Sequence, residues 1–106
     1  MAKNGANSSP DFLVHHPQDS VGVAVVDLPP KATARGRLLS GEALPPLTSR
    51  DAVPLGHKLA LKDIAAGDRV IKYGQVIGEA KAAIPAGAHV HTHNLRGLRW
   101  VKKEKQ

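Results

Sequence analysis

The sequence predicts a small domain made mostly of β-strands, either a small β-barrel or a clip-like β fold. Short segments rich in valine, isoleucine and leucine alternate with turns that contain glycine, proline or aspartate. A pattern of the form Ile-x-x-Gly recurs, and helical periodicity extends over no more than about one turn. With 106 residues and only one phenylalanine, one tyrosine and one tryptophan, the chain can form one modest aliphatic core.

The elements of the first half follow from composition. Residues 1–11 are small and polar, so we expect a disordered tail there. The domain is predicted to span residues 12–100, beginning with a Phe-Leu-Val strand and followed by a second strand in the valine-rich run 21–26. Segment 41–54 contains three prolines and is predicted to be an irregular connection. Residues 101–106 form a basic tail.

The second half contains a weak internal repeat in which segment 59–70 aligns with segment 79–90. Each unit predicts a strand, an Ile-x-x-Gly turn and another strand, because glycine supplies the positive φ that such a turn needs. Segment 23–28 repeats the opening of this unit. The aligned pairs are Ile64/Ile84, Gly67/Gly87 and Val70/Val90.

Two local features complete the prediction of the fold. Segment 70–78 predicts two strands joined by a turn at Gly74. Segment 61–66 is the best candidate for a short helical turn, so the predicted class is a mostly β domain with short helical turns.

Composition argues against several kinds of protein. The chain has no cysteine, which excludes disulfides and thiolate metal sites within it. It shows no signal-peptide pattern and no apolar run of membrane-spanning length, so we expect a cytoplasmic protein without a membrane role. The net charge of +6 is concentrated after Leu95. Because aromatic residues for base stacking are scarce, we expect a solvated or partner-docking tail rather than a nucleic-acid-binding surface.

The run His89-Val90-His91-Thr92-His93, followed by Asn94, holds three of the six histidines. On one extended strand the three side chains would share a face, and neutral imidazole is the commonest protein metal ligand. Side chains two residues apart stand about 6.5–7 Å apart on a strand, so the adjacent pair His91 and His93 is the expected ligand pair, with His89 in support. A surface histidine cluster is the alternative.

Three weaker candidates lie elsewhere. His57 and Lys58 follow a Pro-Leu-Gly turn and could bind a substrate carboxylate, although a turn histidine beside an exposed lysine is the commoner arrangement. The hydroxyl of Tyr73 could orient a substrate or simply cap the core. The pair His15-His16 is predicted to be a surface pair.

Four segments of the chain resemble the SAF domain of the altronate/galactarate dehydratase family. They are PLGHKLAL at 54–61, DIAAG at 63–67, VIKYGQVIG at 70–78 and IPAGAHVHTHNL at 84–95. They occur in the family's order, and the resemblance covers about residues 12–100.

The resemblance implies a β-clip fold and a lyase that removes water from a sugar acid such as altronate, or sulfite from sulfolactate. It further implies a divalent metal, with iron as the expected ion, and a large catalytic subunit whose active site this small subunit completes. His91 and His93 are then the expected metal ligands and proton-transfer groups, with His57, Lys58 and Asn94 near the substrate. Segment 29–53 matches nothing that can be assigned, so its role over the site stays open. A non-catalytic ligand-binding or assembly module is the alternative, and such a module has no need of the histidine run.

Overall fold

The computed structural model describes residues 9–97, in which ten short strands occur and no helix. No helix in this range could therefore cross a membrane. The strands are β1 Phe12–Val14, β2 Val21–Ala24, β3 Thr33–Ala34, β4 Gly36–Leu38, β5 Leu47–Thr48, β6 Lys58–Ala60, β7 Arg69–Lys72, β8 Gln75–Ala80, β9 His89–Val90 and β10 Leu95–Gly97.

The strands form three small sheets, which confirms the predicted mostly β fold. The largest sheet has the order β4-β1-β2-β6-β9, and its neighbours are antiparallel except for the parallel pair β1 and β4. A second sheet has the order β10-β8-β7, and β3 pairs with β5. The predicted irregular connection 41–54 thus contains one short strand, β5.

The short helical turn predicted at 61–66 is wrong. Ile64 and Ile84 exchange two backbone hydrogen bonds, from Ile64 N to Ile84 O at 2.8 Å and from Ile84 N to Ile64 O at 2.7 Å. This antiparallel bridge holds the segment extended, because the Ile64 N–H that donates to Ile84 cannot also donate within a helical turn.

The internal repeat is present in three dimensions as two turns, one between β6 and β7 and one between β8 and β9, with matching hydrogen bonds. Gly67 N donates to Ala80 O, and Gly87 N donates to Ala60 O, both at 2.8 Å. The φ angles of the two glycines are 86° and 87°. The alignment of segments 59–70 and 79–90 therefore identified one turn geometry that the chain uses twice.

A third copy of this turn joins the first half of the chain to the second. Gly56 has a φ of 87° and donates its N–H to Ala24 O at 2.8 Å, while Leu28 and Val53 form an antiparallel bridge. The acceptor Ala24 lies in segment 23–28, which repeats the opening of the repeat unit in sequence. It sets the path of the chain into β6.

Two aliphatic clusters form the core on the two sides of the largest sheet. Leu59 on β6 belongs to one cluster, with Phe12 and Val14, and the next residue, Ala60, belongs to the other. Successive side chains of a strand point to opposite faces, so β6 contributes to both clusters. This packing fixes β6, which directly follows His57, and its edge neighbour β9, which begins with His89.

Most residues of the two predicted tails, 1–11 and 101–106, lie outside the described residues, since residues 1–8 and 98–106 are not described. Next to the first of these, the main-chain N–H of Asp11 donates to Arg35 O at 2.7 Å, and the Asp11 carboxylate accepts from Arg35 N at 2.9 Å. Ordered contacts with the domain therefore begin at least one residue before β1.

Candidate metal centre

The side chains of His57, His89 and His91 converge on one point of the surface. One ring nitrogen from each lies within 4.8 Å of those of the other two. His57 Nδ1 is 2.9 Å from His89 Nε2. The ring of His57 stacks on that of His91, with centroids 4.5 Å apart.

The pairing of β6 with β9 produces this convergence. Leu59 pairs with His89 and Lys58 with Val90, so His57, which directly precedes β6, lies across from His91. Alternation along the strands then places His57, His89 and His91 on one face. Two motifs far apart in sequence therefore meet because of one strand register.

The alternating pattern predicted one strand for the histidine run, but the run does not form one strand. Strand β9 ends at Val90, and a turn follows in which the carbonyl oxygen of His91 accepts from the N–H of Asn94 at 3.0 Å. The Asn94 side chain fixes this turn. Its Oδ1 accepts from His91 N at 2.9 Å, and its Nδ2 donates to His89 O at 2.8 Å. An asparagine side chain that bonds to the nearby backbone favours a turn over a continued strand.

His93 lies within the turn and beside His89, outside the converging group. The His93 ring lies 5.4 Å from the His89 ring, at 40° to it, and His93 is exposed. It is not one of the three residues whose ring nitrogens lie within 4.8 Å of one another. Of the three expected ligands, the structure thus groups His89 and His91, and adds His57 from the expected substrate-binding residues.

The other two expected substrate-binding residues have different surroundings from His57. Both polar atoms of the Asn94 side chain are bonded to the backbone. Lys58 pairs with Val90 and lies on the face of β6 opposite to His57. Partial burial, and to a lesser extent the positive charge of Lys72, lower the pKa of Lys58.

Sequence reasoning missed Asp51, which lies in the unassigned segment 29–53. The Asp51 carboxylate accepts from the N–H of His89 at 3.0 Å. The adjacent residue reinforces this contact, since Arg50 N donates to Gly87 O at 2.8 Å. The segment containing Asp51 therefore borders the strand that carries His89. No repeat or spacing in the sequence indicated this contact.

A buried serine fixes the position of this segment. Ser49 is fully buried, and its hydroxyl donates to Pro29 O at 2.6 Å and accepts from Ala32 N at 3.0 Å. A buried hydroxyl with both hydrogen-bonding roles satisfied holds its loop in one conformation. Asp51, two residues later, is thereby held against β9.

The environment of His89 favours its neutral form. Burial is the largest cause of the lowered pKa of His89, and the neighbouring imidazoles of His57, His93 and His91 lower this pKa further. The Asp51 carboxylate acts in the opposite direction and raises it. A neutral imidazole has a free lone pair, which a metal ligand needs.

The three imidazoles fit a divalent transition metal. Two nitrogens bound to one ion at 2.1 Å and at right angles lie about 3.0 Å apart, close to the separation of the His57 and His89 nitrogens. Imidazole ligands suit iron, zinc, copper and nickel. A set of three protein ligands leaves coordination positions open, as catalytic metal sites require.

The internal repeat shows that the scaffold itself does not require histidines. The offset of 20 residues that relates the two repeat units maps the three histidine positions onto positions of β7 and β8 that carry no histidine. Those positions are occupied by Ile77, Arg69 and Ile71. Arg69 pairs with Glu79 and Val70 with Gly78, as His89 pairs with Leu59 and Val90 with Lys58, so the paired part of this scaffold forms without histidines.

Comparison with known proteins gives one family and several relatives. Residues 10–98 match the family described as the altronate/galactarate dehydratase SAF domain. The chain is 40% identical over 95 residues to the (2R)-sulfolactate sulfo-lyase subunit alpha of Chromohalobacter salexigens, an alignment that covers 85% of this chain and 97% of that protein. The corresponding subunit of Paracoccus pantotrophus is 50% identical over 54 residues, which cover 51% of this chain and 81% of the relative.

A larger relative shows the same domain in another setting. The altronate dehydratase of Escherichia coli is 49% identical over 85 residues, which cover 80% of this chain but only 16% of the dehydratase. The chain thus spans nearly the whole of one type of relative and about a sixth of the other.

Proposed function

The chain belongs to the altronate/galactarate dehydratase SAF domain family, and on this premise we propose that it is the small subunit of a cytoplasmic, metal-dependent lyase. This lyase eliminates sulfite or water from a 2-hydroxy acid, and the small subunit completes the active site of a large catalytic subunit. The convergence of His57, His89 and His91 carries the proposal.

The chemistry of β-elimination matches this group of side chains. The reaction needs a base for the proton next to the carboxylate, a positive centre for the enolate-like charge and assistance to the leaving group. An ion such as iron, held by the three imidazoles, would supply Lewis acidity toward the substrate oxygens. His93 is exposed beside His89 and is the residue that we assign to proton transfer.

The exposure of the site supports a shared active centre. His91 and His93 are exposed in the described chain. Electrostatic catalysis is strongest where water is excluded, so a second polypeptide that covers these rings would strengthen it. We assign that role, and the remaining substrate contacts, to the large subunit.

Two substrates have specific support. The alignment with the sulfo-lyase subunit alpha covers nearly all of that protein, which favours sulfite elimination from sulfolactate by a two-subunit enzyme. The identity of 49% over 85 residues to the altronate dehydratase favours dehydration of a sugar acid. Both reactions break a bond next to a carbon that bears an acidic proton, so the same histidine group serves either one.

The test is reconstitution with the large subunit. The full chain is co-expressed with the large dehydratase-like protein from the same genome, and the purified complex is assayed on sulfolactate, altronate and galactarate with added iron. We expect elimination from one of the three. His57→Ala, His91→Ala and His93→Ala should each reduce turnover at least about tenfold without dissociating the complex, whereas Lys62→Ala, a change in an exposed bend, should not.

Two results would contradict the proposal. A stable complex without elimination from any of the three acids would favour the non-catalytic assembly module. Full turnover in all three histidine variants would show that the catalytic groups lie elsewhere.

A further inference from the structure

The turn at residues 91–94 has a counterpart elsewhere in the chain. The offset of 20 residues in the internal repeat aligns His-Thr-His-Asn at 91–94 with Ile-Lys-Tyr-Gly at 71–74. Both segments are reached in the same way, through an Ile-x-x-Gly turn and then a strand, which is β7 in one unit and β9 in the other. Differences between the two paths therefore arise from the residues of the segments and their contacts.

The first copy continues as a strand and then forms a tight hairpin turn. Ile71 pairs with Val76, so β7 remains paired up to the turn. Tyr73 and Gly74 have φ angles of 58° and 71°, which is typical of a type I′ turn, and the exposed Tyr73 side chain does not cap the core. The buried carboxylate of Asp19 accepts from Tyr73 N at 3.0 Å and from Gly74 N at 2.8 Å. This turn is thus held by a residue outside the segment.

The second copy leaves its strand earlier. Strand β9 ends two residues before the position equivalent to the end of β7. The carbonyl oxygen of His91 then accepts from Asn94 N at 3.0 Å and from Leu95 N at 2.8 Å. Asn94 does not have the positive φ of Gly74. His91 is therefore part of a turn, whereas Ile71 at the equivalent position is part of a strand.

The side chain of Asn94 accounts for this early turn. Its Oδ1 accepts from His91 N at 2.9 Å, and its Nδ2 donates to His89 O at 2.8 Å. Bonds of this kind from a side chain to the nearby backbone compete with the continuation of a strand. Gly74, at the equivalent position, has no side chain and can form neither bond. The two copies therefore differ at the residue that holds the main chain of two converging histidines.

The early turn brings the rings of His89 and His91 together. Their centroids lie 5.5 Å apart and their planes differ by 10°, whereas side chains two residues apart on an extended strand stand about 6.5–7 Å apart. The same turn leaves the His91 ring stacked on that of His57, with centroids 4.5 Å apart. The geometry of the three imidazoles thus depends on where β9 ends.

The main chain of His89 is held on the open edge of the largest sheet. Strand β9 is an edge strand, and in an antiparallel pair the N–H and C=O of one residue point to the same side. The N–H of His89 donates to Asp51, and its carbonyl oxygen accepts from Asn94. Side chains thus occupy both groups with which another strand would pair, and Asn94 supplies one of them.

We propose that Asn94 is the positioning residue of the metal centre. Its amide ends β9 and holds His89 and His91 where their rings meet that of His57, so Asn94 acts on the ion through these ligands and not on the substrate. This inference deepens the proposed function and rests on it, because the metal centre is the one that the proposed lyase uses.

Replacement of Asn94 by the glycine of the other copy tests this role. In Asn94→Gly both side-chain bonds are lost, and we expect the affinity of the full chain for cobalt, measured by calorimetry, to fall about 10–100-fold. The visible absorption of the bound cobalt should also weaken, because water that replaces the His91 ring raises the coordination number of the ion. Gln75→Ala removes an exposed amide beside the other turn and should change neither property.

The variant Asn94→Asp separates position from charge. It retains an oxygen acceptor for His91 N but loses the donor to His89 O, and it adds a negative charge to the segment that carries His91. Charge alone would tighten cobalt binding, so binding about tenfold weaker than in the wild type would identify the positioning role. Thermal unfolding of both variants is followed in parallel. If the glycine variant is unfolded, the aspartate variant, which retains one bond, decides the question.

The outcomes distinguish this inference from the proposed function. Cobalt affinity in Asn94→Asp equal to or higher than that of the wild type overturns the positioning role. A raised KM of the reconstituted complex at unchanged cobalt affinity would return Asn94 to the substrate, and the proposed function stands in both cases. A wild-type complex that eliminates nothing from the three acids overturns the proposed function, whereas loss of cobalt binding in Asn94→Gly would still support the positioning role. A wild-type chain that binds no cobalt overturns both.

Discussion

His57 Nδ1 lies 2.9 Å from His89 Nε2, although 32 residues separate the two histidines. A contact this short requires one ring to donate and the other to accept, so at least one of the two imidazoles is neutral. A divalent ion that replaced the shared proton would find two nitrogens already at a suitable separation. The site is therefore organised by strand pairing before a metal binds.

Metal affinity should depend on His57 more than on His93. His57→Ala removes one of the three converging nitrogens, whereas His93→Ala leaves all three. Loss of a residue that merely supports a ligand costs about 10–100-fold in metal affinity, so we expect loss of His57 to cost at least about a hundredfold. Calorimetric titration of the full chain with cobalt or zinc measures this. An equal loss in His93→Ala would return His93 to the ligand set.

Asp51 should act on metal binding through its contact with the main chain of His89. Asp51→Ala removes the acceptor, and we expect affinity for cobalt to fall about tenfold with an altered visible spectrum of the bound ion. Asp51→Asn keeps an oxygen acceptor and should recover most of the affinity. If the alanine variant binds cobalt with unchanged affinity and spectrum, Asp51 does not position His89.

Local patterns were sufficient to predict much of the fold. Ile64 and Ile84 aligned in the sequence, and the structure shows them bonded to each other. The turn at Gly74 was predictable because a glycine between two β-rich runs favours a hairpin. The same segment 61–66 also suggested a helical turn, and that prediction failed because the pairing partner of Ile64 lies 20 residues away. A propensity for local structure is easily overridden by such a contact.

The site was only partly predictable, for a related reason. His89 and His91 could be named from their alternation, which holds for the paired part of β9 and stops where Asn94 forms its turn. His57 could be named as a candidate, but its meeting with them depends on the register of β6 with β9. Asp51 could not be found, since a main-chain contact across 38 residues leaves no trace in a local pattern.

The two repeat glycines should differ sharply in their tolerance of alanine. At Gly67 an added Cβ would meet nothing within 4 Å, so only the positive φ opposes Gly67→Ala, at about 1–2 kcal/mol. At Gly87 the added Cβ would overlap the carbonyl oxygen of Thr48, which should cost about 1–3 kcal/mol more. Urea unfolding compares the two variants, and equal stabilities would contradict this packing of segment 48–51 against the second turn. Gly87→Ala should also weaken metal binding, because the displaced backbone leads directly to His89.

Lys58 should destabilise the folded chain at neutral pH. Burial and the neighbouring Lys72 lower the pKa of Lys58 from 10.5 in the folded state, so the unfolded chain binds more protons between the two values. The free energy of unfolding should therefore rise with pH as the pH approaches 10.5 from the lowered pKa, and should be flat below it. Lys58→Met should remove that rise and increase stability at pH 7, whereas Lys62→Met, at an exposed position, should do neither. Urea unfolding at pH 7 and at pH 10 measures both effects. A Lys58→Met chain that is less stable than the wild type at pH 7 would show that the ammonium group is compensated within the chain.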